Sequence, residues 1–206
     1  MRKHIKTAVA ALLALSLSLS VAACSPTGKI AEGTWEGDTF TNTWSQIKLT
    51  LPENTRKLSE TEISGLLGAG EDVLINDGIA NETALNTTKA RTVYDFFLYV
   101  NGGTASIFLA YENLTIWGKS LTIADYLKQL QDQVSQVAEL GYVFLGEETA
   151  TVAGENYTVH KYSVADQFYQ RYYVRKLDGA FATIVTTYPV ESESDILNFI
   201  DSIEKP

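Results

Sequence analysis

RTVYDFFLYVNGGTASIFLAYENL, residues 91–114, decides how this chain folds. Residues 91–100 are rich in aromatic and β-branched side chains, which fit a pleated, half-buried surface. Asn101-Gly102-Gly103 follows, and then a second apolar run. Asn and Gly tolerate the positive φ that tight hairpin turns require, so the two runs are predicted to pair antiparallel. The pattern recurs in FYQRYYVRKLDGAFATIVTTY, residues 168–188, where Asp178-Gly179 separates two strands. Between these hairpins, residues 122–140 read as a helix. Ile123, Tyr126, Leu127, Leu130, Val134, Val137 and Ala138 form one apolar stripe, and Gly141 stands where a helix C-terminal glycine belongs. Strands are predicted at 142–145, 149–153 and 156–164, the last two flanking Gly154-Glu155. Ser192 is expected to cap a final helix whose Ile196, Phe199, Ile200 and Ile203 share a face.

On the N-terminal side, WSQIKLTLP (residues 44–52) alternates. Ile47, Leu49 and Leu51 take one side, and Gln46, Lys48 and Thr50 the other, as in a half-buried strand. Ser59-Glu60-Thr61-Glu62 is a capping-box pattern that opens a short helix. Gly65, Gly68 and Gly70 are expected to end it early, and residues 71–90 to be mostly irregular. Hairpins and separated helices without repeated βαβ units define an α+β class with a mainly antiparallel sheet.

The first residues are set apart from this domain. Arg2, Lys3 and Lys6 precede an uncharged, mostly apolar run over residues 8–24, AVAALLALSLSLSVAAC. A basic start, an apolar stretch and small residues at its end make a secretory signal. A membrane-spanning helix needs about 20 predominantly apolar residues, and Ser16, Ser18 and Ser20 interrupt this run. Its end, Val21-Ala22-Ala23-Cys24, resembles a bacterial lipobox. The resemblance implies cleavage before Cys24, lipidation of that residue, and a membrane contact through the lipid on the extracytoplasmic face. The alternative is a lone cysteine near an ordinary cleavage site. Two or more acyl chains give a stable anchor where one does not. The expected organisation is a signal peptide at 1–23, a lipidated tether at 24–33, and one globular domain at 34–206.

Composition narrows the function. The 206 residues are 45% hydrophobic and 20% charged, a globular balance. Loss of residues 1–23 removes three of the 16 basic residues and none of the 25 acids, leaving a formal charge of −12. Such a body is repelled by anionic headgroups and by nucleic-acid phosphates, so it is expected to stand off the membrane and not to bind nucleic acid. One Cys excludes a disulfide framework and a cysteine zinc cluster.

The chemistry-bearing residues are few. A Ser-His-Asp arrangement needs a histidine base; the expected mature chain offers His160, inside a predicted strand, which reads as ordinary packing. No Gly-x-Ser-x-Gly or P-loop pattern is present. Asp72, Asn76 and Asp77 lie close together in GEDVLINDG (residues 70–78) without EF-hand spacing, and read as surface acids. No metal, cofactor or catalytic residue is therefore assigned. The suggestive patch is FYQRYYVRK, residues 168–176. In a strand, Tyr169, Arg171, Tyr173 and Arg175 share a face that could hold a small anionic or aromatic ligand, or a protein partner. The same face also reads as amphipathic side chains with packed stems and wet tips. Trp117 could stack on a sugar or cover the edge of a core.

The order of elements is similar to the PsbP-like (Mog-type) fold: a strand ending in LTLP, a helix, a hairpin, a long helix, a meander and a terminal helix. That resemblance implies an antiparallel sheet packed between helical layers, an α/β/α sandwich. It carries no functional residues, because this fold serves unrelated tasks. The expected function is a non-enzymatic, membrane-anchored extracytoplasmic module for ligand binding or protein interaction. The alternatives are an extracytoplasmic hydrolase with paired carboxylates and an accessory subunit of a membrane complex.

Overall fold

The computed structural model describes residues 30–76, 81–114, 120–137 and 141–206. The signal segment, Cys24, Asp77, Trp117 and Ala138 lie outside the described residues. The core of the domain is a seven-stranded antiparallel sheet in the order β4-β5-β6-β10-β9-β8-β7. Its strands are β4 (Arg56–Lys57), β5 (Thr92–Val100), β6 (Ala105–Asn113), β7 (Tyr142–Val152), β8 (Glu155–Val164), β9 (Phe168–Leu177) and β10 (Ala180–Pro189). Both hairpins form as the turn residues require. Val100 pairs with Ala105 across a 3-10 turn in which Asn101 has φ 51°, and Leu177 pairs with Ala180. The β6–β10 ladder, from Ser106↔Thr187 to Asn113↔Ala180, joins the two hairpins.

Alternation sends side chains to two cores. On the first face, Ile107, Leu109, Val159, Tyr173 and Ile184 meet Phe40, Ile47 and Leu49 of a small three-stranded sheet. That sheet comprises β1 (Thr34–Glu36), β2 (Thr39–Asn42) and β3 (Ile47–Thr50). Ile196, Phe199 and Ile200 of the C-terminal helix α4 (Glu193–Asp201) complete this face. On the second face, Phe97, Phe108, Tyr172, Val174 and Phe181 meet Leu66 of α1 (Glu60–Asn76) and Tyr126, Leu127 and Leu130 of α3 (Ile123–Val134). Helices thus flank the antiparallel sheet on both sides, and β6 and β10 are buried almost throughout. Tyr126 stacks on Phe181 at 4.4 Å between centroids, which seats α3 at the middle of the sheet.

Four sequence expectations change. The helix opened by Ser59 does not stop at Gly65, Gly68 or Gly70 but runs to Asn76, and Glu82–Lys89 is a further helix, α2. A glycine in a helix interior costs about 1 kcal/mol against alanine; burial of Leu66, Leu74 and Leu85 outweighs it. The helix expected to 140 ends at Val134, and Val137 remains buried after a turn. The strands expected at 142–145 and 149–153 are one strand, β7, continuous through a bulge between Phe144 and Gly146. Ser192 closes a 3-10 turn, Val190–Ser192, and makes no side-chain cap.

Candidate functional site

The Tyr/Arg face of β9 is directed into the protein. Arg171 is 8% exposed; its Nε donates to Tyr188 Oη at 2.8 Å, and its Nη groups meet Glu148 of β7 and Glu193 of α4. Burial works against the Arg171 charge, but Glu193 and the neighbouring tyrosines outweigh it and hold its pKa above the ordinary value. Glu193 responds in kind. Desolvation raises it, yet hydrogen bonds from Lys161 and Arg171 leave it below the usual carboxylate range. Arg175 pairs with Glu155 at 3.1 Å, donates to the Ser45 carbonyl, and lies 5.3 Å from the Tyr157 ring centroid. Tyr173 is fully buried. Tyr169 alone of the four is half-buried, with Lys161 Nζ 3.9 Å from its ring centroid. The guanidinium forks expected to meet a ligand are occupied by carboxylates from β7, β8 and α4, which the alternation of one strand cannot reveal.

A second polar cluster docks the N-terminal segment. Asp95 is the extra residue of a bulge between Tyr94 and Phe96 on β5, and the bulge directs its carboxylate at three donors. Gly33 N donates at 2.7 Å, Asn42 Nδ2 at 2.7 Å and Tyr111 Oη at 3.0 Å. Asn42 Nδ2 also lies 2.8 Å from the Ala31 carbonyl, and Ser45 Oγ lies 2.7 Å from Tyr111 Oη, placed to donate to it. Gly33 must be glycine: a Cβ there would meet the Phe40 ring at 2.3 Å. Residues 30–33, expected to end a tether, are therefore tied to the domain, with Ile30 packed on the first core.

His160 is 5% exposed on β8, as ordinary packing requires. Its Nε2 lies 3.0 Å from Glu147 Oε2, its Nδ1 lies 3.2 Å from Tyr162 Oη, and the Phe144 ring lies 4.8 Å away. The histidine thereby supports the bulged part of β7. Of the expected acidic loop, Asp72 and Asn76 belong to α1. Among the described residues, no group of three or more His, Cys, Asp or Glu is placed to hold a metal ion.

The surface that stands out is the β7 edge. Val143 is 52% exposed, Phe144 38% and Leu145 47%, three consecutive large apolar residues on a terminal strand of the sheet. Single exposed apolar residues are ordinary, but a run on an open strand marks a contact surface. Sequence reasoning finds a strand here and misses its exposure, because the sheet order that leaves β7 at the edge is set by distant pairings.

No protein-family model matches the chain, and no curated protein matches it. Among solved structures, it is similar to cyanobacterial PsbP (CyanoP) from Synechocystis sp. PCC 6803, at 11% identity and a TM-score of 0.48, covering 90% of this chain and 99% of that one. It is also similar to LpqN of Mycobacterium tuberculosis, described as involved in cell envelope biogenesis, at 15% identity and a TM-score of 0.40, covering 78% and 83%.

Proposed function

We propose that this protein is a lipid-anchored, extracytoplasmic interaction module without catalytic activity, and that its contact surface is the β7 edge. The observation that carries this reading is the exposed run Val143-Phe144-Leu145 on an open edge strand. The basic, apolar and small-residue order that ends at Cys24 supports the anchor. The partner is a protein, held close by the membrane to which the module is tethered.

Photo-crosslinking in the native membrane tests this. A photoreactive residue at Val143 or Leu145 of the full chain should capture one reproducible partner, and the same residue at Lys57, on the opposite edge, should not. Capture at neither β7 position would sink the contact surface. Cys24→Ala should move the protein from the membrane to the soluble fraction; retention at the membrane would sink the anchor.

A further inference from the structure

We propose that β7 takes an extended polypeptide segment as an added strand, and that this segment carries apolar side chains beside two adjacent basic residues. The inference rests on the reading of β7 as the contact surface and names the chemistry of what it holds.

The backbone comes first. Among the described residues β7 pairs only with β8, so one row of N–H and C=O groups along an eleven-residue strand points outward. At about 3.4 Å per residue that edge is roughly 37 Å long. Sheet edges are usually blunted by brevity, lysine, proline or cover. The opposite edge obeys this rule: β4 has two residues, both basic, and Arg56 is held by Glu62 at 2.7 Å. In the small sheet, a backbone bridge from Glu204 to Lys48 closes β3. β7 has neither lysine nor proline. Extended segments bind such edges through main-chain hydrogen bonds, while alternate side chains give specificity.

The side chains of β7 then specify the occupant. The bulge divides the strand into an apolar part, Val143-Phe144-Leu145, and an acidic part, Glu147-Glu148. Gly146, at φ 138°, carries the bend between them. Glu147 reaches His160 on the second face and Glu148 reaches Arg171 on the first, so consecutive carboxylates serve opposite faces. Both still present themselves to solvent, their side chains 56% and 47% exposed. Residues opposite each other on paired strands have Cβ atoms about 4.5–5.5 Å apart. Two adjacent basic residues on an added strand also point to opposite faces, and they meet these two carboxylates in turn. A second copy of this chain brings no basic residue on its own β7, and the excess of 25 acids over 16 basic residues opposes self-association. Charge complementarity therefore favours a basic and apolar segment of another protein.

The test uses the full, detergent-solubilised chain and fluorescent ten-residue peptides that contain two lysines, a spacer and three apolar residues, in both sequence orders. One order corresponds to antiparallel addition, the other to parallel. Anisotropy should show that one order binds, and that glutamates in place of the lysines weaken it about ten-fold or more at low salt, with the difference shrinking as salt rises. N-methylation of alternate peptide nitrogens should abolish binding in one register and spare it in the other. Glu147→Gln and Glu148→Gln should each weaken the lysine peptide about two- to five-fold and leave its glutamine analogue unchanged. Equal binding of lysine and glutamate peptides would overturn the charge assignment, and indifference to N-methylation would overturn strand addition. If no peptide binds while crosslinking at Val143 still captures a protein, the contact surface stands and this inference fails. Loss of both removes both readings. A concentration-dependent dimer that Phe144→Asp dissolves would instead assign the edge to a second copy.

Discussion

Asp95→Ala should loosen the N-terminal segment before anything else. In the native protein the carboxylate accepts from Gly33 N at 2.7 Å, Asn42 Nδ2 at 2.7 Å and Tyr111 Oη at 3.0 Å. Hydrogen bonds to a charged group contribute roughly 1.5–3 kcal/mol each. Two of the donors have other partners after the substitution: Asn42 still faces the Ala31 carbonyl, and Tyr111 turns its proton to Ser45 Oγ. Gly33 N loses its acceptor outright. One full loss and two partial ones amount to about 2–4 kcal/mol. For a domain of this size, about 2–4 °C of Tm accompanies each kcal/mol, so the midpoint should fall by roughly 4–16 °C. Urea titration gives the free energy if the m-value is unchanged. Amide exchange should accelerate at Gly33 and around Asn42, with β6 and β10 unchanged under native conditions. Asp95→Asn, which keeps an acceptor for Gly33, should lose less than half as much. A change below about 0.5 kcal/mol for the alanine variant, the level of an ordinary surface substitution, would refute the claim that this carboxylate clips the segment to the sheet.

Glu112 should make the domain less stable as pH rises. Burial raises its pKa to about 8, with Arg91 and Tyr126 pulling the other way. An unfolded glutamate ionises near ~4.3. Across roughly pH 4.5 to 8 the unfolded chain sheds a proton that the folded chain keeps, and stability falls over that window. Glu112→Gln should flatten the slope in urea titrations at several pH values; an unchanged slope would clear Glu112 of responsibility. Thr122→Ala removes the capping box in which Thr122 Oγ1 accepts from Asp125 N at 3.1 Å and Asp125 Oδ2 accepts from Thr122 N at 3.0 Å. It should lower stability by about 1 kcal/mol, seen as faster exchange in the first turn of α3. Gly146→Val meets no atom within 4 Å but must adopt φ 138°. A loss of about 1–3 kcal/mol is expected, with a shift of the His160 ring signals in NMR as Phe144 moves; native stability and unshifted signals would show that the bulge does not need glycine.

Local chemistry made much of this architecture readable. Asn101-Gly102 and Asp178-Gly179 announce hairpins because few other residues tolerate those turns, and both hairpins are present. The stripe Tyr126-Leu127-Leu130-Val134 reads as a buried helical face and is one. What could not be read depends on partners remote in sequence. Gly65, Gly68 and Gly70 look like an end to α1, yet packing of Leu66 and Leu74 carries the helix onward. Tyr169, Arg171, Tyr173 and Arg175 look like a recognition face until Glu148, Glu193 and Glu155 arrive from other elements. The exposure of Val143, Phe144 and Leu145 follows from the strand order, which no local pattern encodes. Asp95 is likewise an unremarkable acid in an apolar strand until the bulge turns it toward Gly33 and Asn42.

The β6–β10 ladder has a temporal consequence. Each hairpin closes over a short loop, whereas Ser106 must find Thr187 across about eighty intervening residues. Closing that loop is the entropically expensive event, and contacts of such separation slow folding. Because β10, at residues 180–189, follows every other strand of this sheet in the chain, the two halves cannot be joined until it has emerged. A chain delivered N-terminus first therefore remains open along its central seam until β10 arrives, and only then can the two halves lock together.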